Sequence, residues 1–200
     1  MVKKASAQSQ KMQEKPVKER AIEAALTLAS SMPWDMVTLS DIAAEADMSL
    51  AELSDYFDDK ADILVAFERG IDRRMLEEAG SLSPDETPRD RLFDILMARF
   101  DILGENREAA LSILKALRVD PKQVVIGFPH LGRSMSWALE SAGIETTGIK
   151  GAVRVAGITG IYLNTLRIWI DDESADLSKT MAALDKGLSR AEKLASNFML

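Results

Sequence analysis

The sequence predicts an all-α protein of about nine helices, with an N-terminal three-helix helix-turn-helix segment followed by a C-terminal helical bundle. Three observations support this class. Apolar residues recur at helical spacing through most of the chain, and no run alternates with the period of two that a half-buried strand needs. Capping residues and Pro or Gly breaks divide the chain into segments of ordinary helix length.

Residues 1–15 are rich in Lys, Gln and Ser without apolar periodicity, and are expected to form a mobile basic arm. A first helix is expected over 16–31, with Pro16 suited to its first turn and Ile22, Ala25, Leu26 and Ala29 on one stripe. Pro33-Trp34 ends it. Thr38 caps the second helix with Asp41 as reciprocal partner, and Leu39, Ile42, Ala43 and Ala46 form its inner face. Asp47-Met48 makes the turn. The third helix is expected over Ser49 to Phe57, where Ser49 and Glu52 form a second capping box and Leu50, Leu53, Tyr56 and Phe57 are the larger apolar members. Asp58 or Asp59 caps a fourth helix that reaches about Ala79, with Ile63, Leu64, Phe67, Ile71 and Met75 in phase.

The polar, Pro-containing stretch from Gly80 to Pro88 marks a domain junction, so the expected division is 1–15, 16–79 and 80–200. Five further helices are expected at about 89–103, 105–118, 121–141, 146–170 and 175–198. In the last, Leu177, Met181, Leu184, Leu188, Ala191, Ala195 and Phe198 follow the alternating spacing of a bundle seam. In the one before, Ala152, Ala156 and Gly160 make a ridge of small residues that permits close approach of another helix. The two stripes are read either as packing within one chain or as the interface of a homodimer. The expected interface comprises Ala152, Ala156, Gly160, Leu177, Met181, Leu184, Leu188 and Ala191.

Composition removes several functions. There is no cysteine and a single histidine, which argues against a thiolate nucleophile, a Cys-based metal site, a His-rich metal centre and a Ser/His/Asp triad. No enzyme motif, metal site or cofactor-binding motif is found. No apolar run reaches membrane-spanning length and the basic N-terminus lacks an apolar secretory core, so a cytoplasmic protein without a transmembrane segment is expected. The net charge of −7 is unevenly spread. Lys3, Lys4, Lys11, Lys15, Lys18 and Arg20 outweigh Glu14 and Glu19, giving residues 1–20 a net of +4. From Trp34 to Asp62 the balance reverses: Asp35, Asp41, Glu45, Asp47, Glu52, Asp55, Asp58, Asp59 and Asp62 face Lys60 alone, a net of −8.

Thr38, Ile42, Ala43, Ala46, Ser49, Leu53, Tyr56, Phe57, Lys60 and Leu64 stand in the register of a known pattern. Over residues 17–70 the chain resembles the DNA-binding domain of the TetR family of transcriptional regulators, and five helices ending in two long ones resemble that family's C-terminal domain. The resemblance implies a double-stranded DNA operator as partner, with Thr38, Ser49, Leu50, Ala51, Ser54, Tyr56 and Lys60 as the DNA-facing residues. The departures fall on that face: Asp47 stands at the turn glycine, Leu50 at a frequent base, and Ser54 at a phosphate-touching tyrosine. Ser49 to Phe57 contains no Arg, Lys, Asn or Gln, the side chains that most often read base edges. The carboxylates are partly explained by the preference of acids for helix N-termini.

The C-terminal half is also similar to lipid-binding accessory proteins of ubiquinone biosynthesis, which share the TetR fold. The stretches "ALSILKAL" and "FPHLGRSMSWALESAG", and the segment from Tyr162 to Asp172, carry that likeness. Met97, Phe100, Met135, Trp137, Leu163, Leu166 and Trp169 are candidates for an apolar pocket, although such stripes are more often plain core. His130 and Arg133 are candidates for holding a polar ligand head, against the reading of His130 as a helix N-terminal residue with one local hydrogen bond. Asp171-Asp172-Glu173 reads as a solvated loop. Two functions follow: a regulator released from DNA by a small apolar effector, or a lipid- or isoprenoid-binding accessory protein whose helix-turn-helix no longer reads DNA.

Overall fold

The computed structural model describes residues 15–80, 85–119 and 121–198. Nine helices occur among the described residues: α1 (Val17–Ser31), α2 (Leu39–Glu45), α3 (Leu50–Ser54), α4 (Lys60–Ala79), α5 (Pro88–Gly104), α6 (Arg107–Val119), α7 (Pro121–Ser141), α8 (Gly148–Ile170) and α9 (Ser178–Phe198). The expected arm lies outside the described residues except for Lys15, and so do residues 81–84 of the expected junction. None of the described helices is long and apolar enough to cross a membrane.

The contacts sort the chain into two units. The first runs to Glu68 and takes in Asn106–Gly127; the second comprises Arg69–Glu105 and Phe128–Leu200. In the first, α1 packs on α2 and α6. The small side chains Ala21, Ala24, Ala25 and Ala29 form its buried face and let the neighbouring helices come close. Trp34, Ile42, Leu53, Phe57 and Ile63 fill the space around them, and Ile113 of α6 joins the same core. Ser112 of α6 ties down the turn after α1, accepting from the Trp34 amide at 3.1 Å and donating to the Met32 carbonyl at 3.3 Å.

The third helix is shorter than expected. It ends at Ser54, and the Tyr56 and Phe57 amides both turn back to the Leu53 carbonyl. The reason is packing: Phe57 must leave the helix to enter the core, where it is 5% exposed. Asp59 supplies the next cap, accepting from the amides of Ala61 and Asp62 at 2.7 and 3.0 Å.

In the second unit, Thr87 caps α5 by accepting the Asp90 amide, with Pro88 in the first turn. α9 packs on α8 and α5. Phe100 stacks on Tyr162 with ring centroids 5.1 Å apart and tilts against Trp169 at 6.4 Å. Arg99, 2% exposed, lies in the same interior. Its Nη1 pairs with Asp72, and its Nε donates to the Tyr162 hydroxyl at 3.2 Å. Ser134 donates to the other Asp72 oxygen at 2.6 Å. One carboxylate thus joins three helices, α4, α5 and α7.

The loop after α8 differs from the expected solvated one. Asp171 and Glu173 are exposed, but Asp172 is 1% exposed and accepts from the Thr180 amide and hydroxyl, both at 2.8 Å, and from Ser174. It therefore closes the start of α9. A run of three acids hides this because each can accept the same bonds and only the fold-back of the chain selects the middle one.

Candidate nucleic-acid interface

The helix-turn-helix is held together by local chemistry that its sequence dictates. Thr38 accepts the Asp41 amide at 3.1 Å while Asp41 accepts the Thr38 amide at 2.9 Å, a complete capping box. These bonds from Thr38 also hold the Asp41 carboxyl below its usual pKa. The chain then leaves α2 through Asp47, whose φ of +51° lies in the left-handed region. Asp adopts that region at some cost, while glycine does so freely. Asp47→Gly is therefore expected to raise stability by about 0.5–1 kcal/mol, read as a higher midpoint of thermal unfolding.

Ser49 caps α3 by accepting the Glu52 amide at 3.1 Å, but the second half of the expected box is absent. The Glu52 carboxylate goes instead to Arg20 of α1, at 3.1 Å. Arg20 lies four residues before Ala24 on the buried face of α1 and is itself 7% exposed. That phase, a base among alanines, is the sequence signal that identifies it as an internal brace.

Lys60 is also turned inward. Its ammonium donates to the carbonyls of Trp34 at 3.0 Å and Val37 at 2.5 Å and lies 4.9 Å from the centre of the Trp34 ring. Burial pushes its pKa down, with the charge of Asp35 acting in the opposite sense. Lys60 thus clamps the turn that leads into α2. Lys18 lies 5.9 Å from the centre of the Tyr56 ring, so α1 begins beside the end of the reading segment.

The outward face of the motif comprises Thr38, Ser49, Leu50, Ala51, Ser54 and Tyr56, with Leu50 49% and Tyr56 44% exposed. Ser54 donates to the Ala51 carbonyl at 2.7 Å, so its hydroxyl proton is already used. Asp35, Asp41, Glu45, Asp47, Asp55, Asp58, Asp59 and Asp62 are all exposed around this face. Its distinctive chemistry is therefore an apolar outer edge among exposed acids, with Arg20 and Lys60 engaged internally.

The residues considered for a ligand pocket do not share one environment. Phe100, Met135 and Trp169 are fully buried, Met97, His130 and Leu166 are partly buried, and Arg133, Trp137 and Leu163 are exposed. His130 lies inside α7 next to the internal Pro129, not at a helix N-terminus, and its carbonyl accepts from Ser134. The residues considered for a dimer interface also divide. Ala152, Ala156, Gly160 and Met181 are exposed, Leu177 and Ala191 are partly buried, and Leu184 and Leu188 are buried at 0% and 3%. A Cβ at Gly160 would meet nothing within 4 Å, whereas one at Gly187 would come within 2.7 Å of Ile161. The close crossing of α8 and α9 therefore uses Gly187, which the seam pattern skips. It leaves the ridge free, flanked by Ile149, Val153 and Leu163, which are 86%, 50% and 40% exposed.

Comparison with known proteins agrees with this geometry. Residues 21–67 match the family model described as bacterial regulatory proteins, tetR family. The crystal structure of a TetR transcriptional regulator from Nitrosomonas europaea ATCC 19718 is 27% identical, with a TM-score of 0.73 over 89% of this chain and 99% of that one. A TetR transcriptional regulator from Rhodococcus sp. RHA1 shares the fold at 20% identity, with a TM-score of 0.63 over 86% of this chain and 96% of that one. No curated protein matches the sequence. Residues 21–67 thus carry the helix-turn-helix of the tetR family of bacterial regulatory proteins, and the chain has the fold of TetR transcriptional regulators.

Proposed function

We propose that this protein is a dimeric cytoplasmic regulator that binds operator DNA through α2 and α3 and is released by a small apolar or lipid-like effector held in the second unit. The observation that carries this reading is the intact frame of the motif. The Thr38–Asp41 box, the left-handed Asp47 and the Ser49 cap present Leu50, Ala51, Ser54 and Tyr56 outward together. A frame kept in this detail supports a helix that still enters a major groove.

The exposed ridge of Ala152, Ala156 and Gly160, with Ile149, Val153 and Leu163 beside it, supports pairing with a second copy. The effector reading follows from the likeness to TetR regulators; Phe100, Tyr162 and Trp169 themselves pack against one another as buried core. Such an effector acts by favouring a state of lower DNA affinity.

Binding to the DNA upstream of the protein's own gene tests the proposal. A complex that survives excess unrelated DNA at about 50 and 150 mM salt is the expected result. Absence of a sequence-specific complex at both salt concentrations, with the dimer intact by sedimentation, refutes it. Lipid found by mass spectrometry on the purified protein identifies the effector class.

A further inference from the structure

We infer that Leu50, with Ala51 beside it, recognises thymine methyl groups, so that the operator is read mainly through carbon contacts rather than hydrogen bonds. This rests on the DNA-binding reading above and names the chemistry of the bases it selects.

The polar side chains at the start of the segment, before the exposed Asp55 and Tyr56, make local bonds. None of the residues from Ser49 to Phe57 is Arg, Lys, Asn or Gln. The Ser49 oxygen accepts the Glu52 amide, the Ser54 proton goes to the Ala51 carbonyl, and the Glu52 carboxylate is held by Arg20. The nearest lysine after the segment, Lys60, is committed to the carbonyls of Trp34 and Val37. What remains outward at the start of α3 is apolar: Leu50 is the first residue of the helix and 49% exposed, and Ala51 is exposed next to it. Leu53, 1% exposed, anchors the helix to the core, while Leu50, 49% exposed, turns half of its surface outward.

An exposed leucine is ordinary on a protein surface. Its place gives this one meaning, because the first residues of a reading helix are those that meet base edges. In the major groove the apolar mark is the C5-methyl group of thymine. The exposed acids around the motif point the same way. They withhold long-range attraction from this face, so short-range contact has to supply its affinity.

The test begins by selecting sites from a random duplex library with the full-length protein. Each thymine of the selected site is then replaced singly by deoxyuridine, which removes only the methyl group. At one or two positions in each half-site, affinity is expected to fall about fourfold per methyl, the scale of one buried methylene. Leu50→Ala is expected to bind the thymine and uracil versions of that position equally, while circular dichroism confirms an unchanged helix content. A selected site indifferent to uracil everywhere overturns the inference and leaves the regulator reading standing. A uracil effect that Leu50→Ala leaves unaltered overturns the assignment to Leu50. Failure to select any site overturns both readings.

Discussion

Asp72→Ala is expected to lower stability by about 3–5 kcal/mol, because it removes the carboxylate from a guanidinium that is buried. Arg99 is 2% exposed, and Asp72 is an acidic group it pairs with. The same change removes the nearer of the two acceptors of the Ser134 hydroxyl, so the contacts between α4, α5 and α7 loosen together. Urea unfolding followed by tryptophan fluorescence measures the loss. The double change Asp72→Ala, Arg99→Met provides the decisive comparison. It removes the stranded charge as well as its partner, and is expected to recover a large part of the loss. A double variant no more stable than Asp72→Ala would show that the carboxylate acts through packing and not through charge.

Asp172→Ala is expected to cost about 2–4 kcal/mol, since it strands the buried amide and hydroxyl of Thr180 at the start of α9. The wild-type group also makes stability depend on pH. Burial alone raises a carboxyl's pKa, but the bonds from Ser174 and Thr180 prevail and hold Asp172 well below the usual carboxylate range. A group depressed in the folded state contributes its stability above the unfolded pKa, about 3.9, and loses it as pH falls toward the folded value. The melting temperature of the wild type is therefore expected to drop more steeply below about pH 4 than that of Asp172→Asn. Parallel curves for the two proteins would contradict this assignment.

Both residues illustrate what the sequence shows and what it conceals. Helix positions are local properties. Thr38 with Asp41, Ser49 before Leu50, and the break at Pro33 announce themselves to a reader of neighbours, and the helices lie close to where periodicity puts them. The role of a charged side chain is not local. Asp72, Arg99 and Asp172 look like surface residues until the fold brings Ser134, Tyr162 and Thr180 to them. The same holds for the motif. Its frame is legible in the spacing of Thr38, Ser49 and Leu53, and the turn at Asp47 through the family resemblance, but the early end of α3 at Ser54 is not. The inward use of Lys60 depends on Trp34 and Val37, which reach it only after the chain has turned, and the brace from Arg20 to Glu52 spans two helices. The small-residue ridge is a mixed case: its composition is plain in the sequence, but that Gly187 makes the crossing, leaving the ridge outward, is a matter of which faces of α8 and α9 meet.

Under the proposed function, the exposed acids also bear on how the protein would meet genomic DNA. Most DNA-binding proteins spend their time loosely attached to unrelated sequence, because basic side chains displace counterions from any stretch of backbone. Asp35, Glu45, Asp47, Asp55, Asp58 and Asp59, all exposed, would work against such attachment, leaving it to the bases among residues 1–20. A regulator built this way would slide little along the duplex. Fewer of its copies would be held by the rest of the chromosome, and its discrimination between right and wrong sites would depend on contact more than on charge.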